Sequence, residues 1–176
     1  MKKRSKFVQN GWPQTGAKRG LLKGGFTGPN PTDRGKIGIK RHILVDRLGA
    51  PIAFILATSG VHDSTLIFPT LRKFRVYRNG KILKPEILSL DKAYTGKIIK
   101  RGLRKMNVRY RIPNKTDAKQ PESIPKLKPF RWTVERTIAW INAFRALKTK
   151  WEVKIENYSA LFKLACAFIL WRMTKW

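Results

Sequence analysis

The stretch Phe130–Leu147, FRWTVERTIAWINAFRAL, combines a strong helical pattern with a candidate active-site carboxylate. Apolar side chains recur in it every three or four residues, which predicts one broad apolar stripe along a helix. The residues of this stripe are Val134, Ile138, Trp140, Ile141, Phe144 and Leu147. Arg131, Glu135 and Asn142 stand four and seven residues apart, so they share a different, polar face. The stretch therefore predicts a helix that is buried on one side and presents Glu135 on another.

Glu135 has an ordinary interpretation and a functional one. A carboxylate one helical turn from Arg131 is commonly half of a solvated ion pair. Acidic residues are scarce in this chain, however, because Glu135 is one of only ten in a sequence of formal net charge +29. The remaining sequence has to decide between the two interpretations.

The composition indicates one folded, strongly basic domain. The 176 residues are 42% hydrophobic and include six Trp and nine Phe, which is enough for a core. An excess of 39 Lys and Arg over 10 Asp and Glu predicts a polyanionic partner, with nucleic acid first. An anionic membrane surface or ribosomal RNA would satisfy the same charge.

Cysteine content and hydropathy bear on the compartment. The single Cys, Cys166, excludes an intramolecular disulfide, and the cytosol is the expected location. The basic N-terminus is not followed by the apolar run of a secretory signal. The longest apolar stretch, 158–173, is interrupted by Lys163 and is short for a bilayer, so no membrane segment is predicted.

The first third of the chain predicts an arm and then a hairpin. Residues 1–36 are basic and rich in Gly and Pro, which indicates an arm that reaches phosphates or a tail without a specific role. Two runs of β-branched and apolar residues follow at 40–46 and 51–58, and a turn at 47–50 joins them into a predicted β-hairpin. His42 in the first strand is interpreted as structural, with a ligand or base as the alternative.

The middle of the chain supplies a second candidate carboxylate. A helix is predicted to begin with Asp63 or Ser64 as its N-cap. Further on, EILSLD at 86–91 predicts a buried strand that ends on Asp91. The carboxyl ends of strands in open α/β sheets present reacting groups, so Asp91 stands where a site residue would. The alternative is that Asp91 caps the next helix or pairs with Lys92.

The remaining segments complete a mixed α/β pattern. A helix over 95–106 is predicted to turn Ile98, Ile99 and Leu103 inward, and a strand follows over 108–112. Residues 114–129 predict a basic loop. A last helix over 157–172 is predicted to pack its aromatic residues into the core. The order of elements is that of most of a ribonuclease H-like fold.

Several motifs, in this order, resemble the DDE transposases of bacterial insertion sequences, in the broad group that includes insertion sequence families four and five. The resemblance runs from about Gly24 to Met173. Its motifs are TGPNPTDRGK at 27–36, KRHILVD at 40–46, LSLDKAY at 88–94, RWTVERTIAWINAFRAL at 131–147 and LACAFILWRM at 164–173.

This resemblance implies a fold, an activity and partners. The fold is an α/β, ribonuclease H-like mixed sheet with flanking helices, and 37–176 is the catalytic domain. Asp91 matches the second Asp and Glu135 the final Glu, both as catalytic residues and metal ligands. The implied cofactor is a pair of Mg²⁺ or Mn²⁺ ions, which suit hard oxygen ligands. The implied activity is end cleavage and strand transfer on double-stranded DNA by a homodimer in the bacterial cytoplasm, associated with the nucleoid.

The resemblance also covers DNA contacts, with two departures. The family has an Arg four residues before the final Glu, and Arg131 matches it. A Tyr three residues further upstream and a Lys seven after the Glu are replaced by Lys128 and Asn142, so their DNA-end contacts are not carried over. The predicted DNA-binding residues are Arg131, Arg136, Lys40, Arg41, Lys92, Lys128 and Arg145.

The family's first Asp has no match. It lies at the end of the central strand, upstream of the Gly-rich arm, whereas the first acidic residue here is Asp33. The nearest substitute by position is Asn10, whose amide carries no charge. The sequence therefore predicts an N-terminally truncated chain that lacks the central strand and has little or no transposition activity alone. The alternative function is a non-enzymatic basic nucleic-acid-binding protein, in which Asp91 and Glu135 would be dispensable.

Overall fold

A computed structural model of the chain describes residues 6–16, 26–31, 34–83, 85–112 and 131–174. For 6–16, Arg78, Lys92 and Arg131 it describes the backbone alone. These ranges form a mixed six-stranded sheet with helices packed on it and a separate two-stranded ribbon. No helix in them is long and apolar enough to cross a membrane.

The strands and helices have the following bounds. The strands are β1 Lys6–Gly16, β2 Gly28–Pro29, β3 Ile37–Asp46, β4 Pro51–Thr58, β5 Tyr77–Arg78, β6 Lys81–Ile82, β7 Ile87–Leu90 and β8 Arg109–Arg111. The helices are α1 Asp63–Arg72, α2 Lys97–Lys105, α3 Arg131–Asn142, α4 Arg145–Lys148 and α5 Ile155–Met173. A 3-10 turn, Lys92–Tyr94, follows β7.

The sheet has an antiparallel half and a parallel half. β3 pairs antiparallel with β4 and β2 along one edge and with β1 along the other. β1 pairs parallel with β7, and β7 pairs parallel with β8. The order across the sheet is therefore β4, β3, β1, β7, β8, with β2 extending the β4 edge.

The position of the central strand corrects one expectation. Lys6–Gly16 lies between the hairpin strand β3 and the strand that precedes Asp91, which is the place of the strand predicted to be missing. The prediction that the central strand is lacking is therefore wrong. The sequence KFVQNGWPQTG hides this strand because Gly, Pro, Asn and Gln disfavour strands in isolation. Pairing on both edges overrides that weak local preference.

The two faces of the sheet carry separate apolar clusters, and β3 contributes alternately to both. Ile39, Ile43 and Val45 pack with α3, α4 and α5, which defines the α3–α5 face. Leu44, one step out of phase, packs with α1, α2 and β7, which defines the α1–α2 face. Alternation along a strand explains this division. Burial on both faces makes β3 a nearly continuous buried strand.

The predicted hairpin is confirmed as β3 and β4, but the predicted cap of α1 is wrong. His62 is the N-cap, and its Nδ1 accepts a hydrogen bond of 3.2 Å from the Ser64 backbone N–H. Asp63 is instead the first helical residue and forms an ion pair of 3.0 Å with Lys40. The carboxylate of Asp63 therefore pairs with Lys40 of β3 and does not cap the helix.

Three details of the predicted helices also differ. The helical pattern at 130–147 breaks after Asn142, because Phe144 adopts an extended backbone before α4 and packs its ring 5.9 Å from that of Phe168. Ile98 is 83% exposed, whereas its predicted companions Ile99 and Leu103 are buried. Phe168 itself is 43% exposed, so not every aromatic residue of α5 belongs to the core. α5 does pack against α3, as expected for the core.

Candidate catalytic site

Asp91 stands where β7 gives way to a tight turn. Leu90, the last residue of β7, is buried on the α1–α2 face. Position 91 alternates with it and falls on the α3–α5 face. The backbone N–H of Tyr94 donates to the Asp91 carbonyl oxygen over 3.1 Å, which closes the turn. The N-cap of α2 is Gly96, so Asp91 does not cap that helix.

The register of β1 places Asn10 level with Asp91. Gln9 pairs with Leu90 in the parallel ladder, and Asn10 and Asp91 are the next residues along their strands. On the other side, Asn10 pairs with Ile43, a residue of the α3–α5 face. The position closest by sequence to the family's first Asp is thus also next to Asp91 in the sheet.

The helix that carries Glu135 lies on the same face. α3 lies against β1 and β3. Its Val134, Ile138 and Ile141 are buried in the apolar cluster that includes residues of β3. Glu135 itself is exposed. The sheet thus carries Asp91 and the Glu135 helix on one face, with β1 next to the Asp91 strand.

Hydrogen bonds to the turn between β3 and β4 keep α3 from sliding along the helix axis. The hydroxyl of Thr137 donates to the Gly49 carbonyl oxygen over 2.7 Å, and Arg136 Nη2 donates to the Leu48 carbonyl oxygen over 2.7 Å. Asp46 Oδ1 holds the turn from behind by accepting the backbone N–H groups of Leu48 and Ala50, each over 2.8 Å. These bonds fix the position of α3 relative to the sheet, and therefore the position of Glu135.

Arg136 has further contacts along α3. Its guanidinium carbon lies 4.4 Å from the ring centroid of Trp132 and 4.9 Å from that of Trp140. Such stacking of a cation on aromatic faces is attractive. With the bond to Leu48, this stacking gives the predicted DNA-binding residue Arg136, which is half-buried, three partners within the protein.

Two other predicted DNA-binding residues lie in the interior. Lys40 is 8% exposed and binds Asp63 and the Val61 carbonyl oxygen. Arg41 is 3% exposed and donates from Nη2 to Asn142 Oδ1 over 2.9 Å. Burial lowers the pKa of the Arg41 guanidinium, and the neighbouring Tyr158 counteracts this effect. Their internal partners argue against phosphate contacts by Lys40 and Arg41.

The remaining predicted DNA-binding residues differ in what can be described. Arg145 is exposed on α4. Arg131 is the first residue of α3 and Lys92 the first of the 3-10 turn, and only their backbones are described. Lys128 and the predicted basic loop 114–129 lie outside the described residues.

His42 joins the hairpin to the turn after Asp91. It is fully buried, with Nδ1 2.7 Å from the Thr70 hydroxyl and Nε2 2.8 Å from the Tyr94 hydroxyl. Desolvation lowers the pKa of the imidazole to about 4, although Asp63 opposes this effect and Lys40 adds to it. The imidazole is therefore neutral at pH 7. The structural interpretation of His42 fits this environment.

The two predicted carboxylates have the chemistry of ligands for a hard divalent cation. Asp91 and Glu135 would supply carboxylate oxygens, the ligands that Mg²⁺ and Mn²⁺ prefer. Among the residues that the structure describes, no three His, Cys, Asp or Glu side chains are grouped to hold a metal ion. At the register position beside Asp91 stands Asn10, an amide in place of a third carboxylate.

Comparison with known proteins identifies the family. The sequence model of the transposase DDE domain matches residues 10–170. The chain therefore belongs to the DDE transposases of insertion sequences. A relative in Burkholderia cepacia, named as a candidate transposase for insertion sequence element IS402, is 34% identical over 148 residues, which span 82% of this chain and 68% of the relative. Proteins of this family serve DNA transposition, act on DNA and generally use divalent metal ions.

Sequence reasoning missed the contacts that position the site. The His42–Tyr94 bond joins two of the quoted motifs, KRHILVD and LSLDKAY, but no spacing rule links residues so far apart. The bonds from α3 to Leu48 and Gly49 were equally hidden. Only Gly49, in the predicted turn, hinted at these contacts from sequence, because glycine permits a backbone conformation and a close approach that other residues resist.

Proposed function

We propose that this chain is the catalytic part of a DDE transposase with a ribonuclease H-like fold, and that Asp91 and Glu135 are its second and third metal ligands. The observation that carries the proposal is the register of β1 against β7, with α3 on the same face as position 91. The strand order β4, β3, β1, β7, β8, antiparallel and then parallel, supports the ribonuclease H-like assignment.

The proposed chemistry requires the carboxylates of Asp91 and Glu135 to share bound metal ions. When bound, two divalent ions supply activation of the attacking oxygen and stabilisation of the leaving oxygen in phosphodiester cleavage and strand transfer. Asp91 and Glu135 would hold such ions, and the excess of basic residues would attract the DNA backbone. The β7 end and the α3 helix serve as rigid supports for the two carboxylates.

In this proposal, the uncharged amide of Asn10 lowers metal affinity and DNA cleavage. An amide oxygen can coordinate a cation but brings no negative charge, so it bridges two metal ions poorly. We therefore expect weak metal binding by the chain and little or no cleavage of a transposon-end oligonucleotide. Robust metal-dependent nicking by the unaltered chain, abolished by Asp91→Ala, would contradict this part of the proposal.

The substitution Asn10→Asp tests the arrangement directly. It places a third carboxylate level with Asp91, and we expect Mn²⁺ to bind at least about 10-fold more tightly, because each added charged ligand strengthens a hard-cation site. Mn²⁺ affinity is measured by titration calorimetry or electron paramagnetic resonance. Asn107→Asp, the same change at an exposed residue between α2 and β8, is the matched control and should leave affinity unchanged.

The alternative function, a non-enzymatic nucleic-acid-binding protein, is supported by the high positive charge and by the amide at position 10. Asp91→Asn and Glu135→Gln separate the two proposals. Under the transposase proposal both variants lose Mn²⁺ binding while DNA affinity stays the same or rises slightly, since a negative charge is removed. If Mn²⁺ binds both variants as it binds the unaltered chain, the metal site is not at these carboxylates.

A further inference from the structure

Tyr94 lies three residues after Asp91 and is almost fully buried, with 1% of its surface exposed. Its backbone N–H closes the turn onto the Asp91 carbonyl oxygen, and its ring belongs to the core of the α1–α2 face. Its hydroxyl lies 2.8 Å from His42 Nε2 on β3. The turn that follows Asp91 is thus joined to a strand two places away in the sheet.

The protons of this network can be assigned by counting donors. The Thr70 hydroxyl has one proton, and it donates that proton to the Leu66 carbonyl oxygen over 2.8 Å. Toward His42 the same oxygen must accept, so Nδ1 carries the imidazole proton. A neutral imidazole has only one N–H, which leaves Nε2 as an acceptor. The Tyr94 O–H therefore donates to His42 Nε2.

Each residue of this hydrogen-bond network is held in place by its neighbour. Thr70 is fixed on α1 through Leu66, His42 is fixed between Thr70 and Tyr94, and all three are buried. Lys40 and Asp63 form an ion pair on the same side of β3. A buried hydroxyl that loses its partner costs free energy, so Tyr94 has one favoured place for its ring.

We propose that Tyr94 is a positioning residue for Asp91, and that the bond from its hydroxyl to His42 sets the turn that presents the carboxylate to metal. This inference rests on the proposed role of Asp91 as a metal ligand. Residues that orient ligands from outside the coordination sphere typically change metal affinity by about 10–100-fold when they are removed. Tyr94 acts through the backbone of the turn and does not itself contact the ion.

The substitution Tyr94→Phe tests the inference because it removes the hydroxyl and keeps the ring. Tyr158→Phe is the matched control: Tyr158 is fully buried on the α3–α5 face, and its hydroxyl donates to the Leu147 carbonyl oxygen over 3.1 Å. Both variants lose a buried hydroxyl, and Tyr158→Phe also loses its interaction with the Arg41 guanidinium, so each should lose at least about 1 kcal/mol of unfolding free energy. Only Tyr94→Phe should alter the Asp91 turn.

Two measurements report on that turn. Amide hydrogen exchange at position 94 should be faster in Tyr94→Phe than in Tyr158→Phe, because the bond to the Asp91 carbonyl oxygen opens more often. Mn²⁺ affinity should fall about 10-fold in Tyr94→Phe and stay unchanged in Tyr158→Phe. Thr70→Val should also weaken Mn²⁺ binding. Thr70→Ser, which retains the hydroxyl, should bind Mn²⁺ as the unaltered chain does.

The outcomes distinguish this inference from the proposed function. If Tyr94→Phe exchanges its position-94 amide as slowly as the control and binds Mn²⁺ as the unaltered chain does, while Asp91→Asn loses Mn²⁺, the positioning role is refuted and the metal ligand stands. If Asp91→Asn binds Mn²⁺ normally, the proposed function fails and the inference fails with it. Equal losses of Mn²⁺ affinity in Tyr94→Phe and Tyr158→Phe would show a general stability effect and also overturn the positioning role.

Discussion

At the scale of single residues, His42 makes stability depend on pH. Its imidazole is neutral in the folded chain because burial lowers its pKa from 6.5 to about 4. Between these values the unfolded chain binds the extra proton, so stability is complete above about pH 6.5 and declines as the pH falls toward 4. A pKa difference of this size corresponds to about 3 kcal/mol.

Urea unfolding at pH 7 and at pH 4 measures this dependence. The unaltered chain should lose more stability on acidification than His42→Gln, which has no imidazole to protonate but is less stable at pH 7. The difference between the two losses should be about 3 kcal/mol. Parallel losses in the two proteins would contradict the buried, neutral state of His42.

Gly49 carries a second residue-scale prediction. Its φ of +86° is disfavoured for other residues, and a Cβ there would lie 2.9 Å from the Thr137 hydroxyl oxygen. Gly80 is the matched control, because its φ is +72° but nothing lies within 4 Å of its Cβ position. Gly80→Ala should cost about 1 kcal/mol from backbone strain alone.

Gly49→Ala should cost more, about 2–3 kcal/mol, because α3 must also move away from the turn. Chemical denaturation of both variants measures the difference. Equal losses would mean that the close approach of the turn to α3 adds nothing to stability.

At the scale of elements, the chain shows what sequence patterns predict and what they miss. The hairpin, the helices near 63 and 157 and the strand before Asp91 follow from local periodicity, since each has enough apolar residues in one pattern. β1 does not, because its pairing partners lie far away in sequence and supply the stability that KFVQNGWPQTG lacks. The break after Asn142 likewise depends on the contact of Phe144 with α5.

The same limit applies to the site. Asp91 was predicted from its place at the end of an apolar run, and the position of β7 agrees with that reasoning. Glu135 on its own was indistinguishable from a surface ion pair and was selected by the family resemblance. Burial of Lys40 and Arg41 was not predictable, because their partners Asp63 and Asn142 lie on helices distant in sequence. The metal-binding roles of Asp91 and Glu135 stay predictions.

At the scale of the whole molecule, the net charge of +29 predicts how the proposed binding of DNA depends on salt. Phosphate contacts release counterions, so DNA affinity should fall steeply and linearly on a logarithmic plot against salt concentration. Arg145, on α4, is exposed, and we expect it to contribute to this binding. Arg136, held by Leu48 and two Trp rings, should not contribute.

Binding of a labelled duplex at several salt concentrations tests this distinction. Arg145→Gln should reduce the magnitude of the salt slope by about 1, the value for one lost phosphate contact. Arg136→Gln, the same chemical change on the neighbouring helix, should leave the slope unaltered. A reduced slope for Arg136→Gln would show that its guanidinium leaves the two Trp rings to meet DNA.

The place of β1 also bears on the order in which the molecule folds. The hairpin β3–β4 can form as soon as its own residues are available, because its strands are joined by a short turn. β1 comes first in the chain but gains its parallel neighbour β7 only about eighty residues later, since Lys6 pairs with Ile87. Such long-range parallel pairing is slow. The pairing of β1 with β7, which sets Asn10 beside Asp91 in the middle of the sheet, should therefore form last.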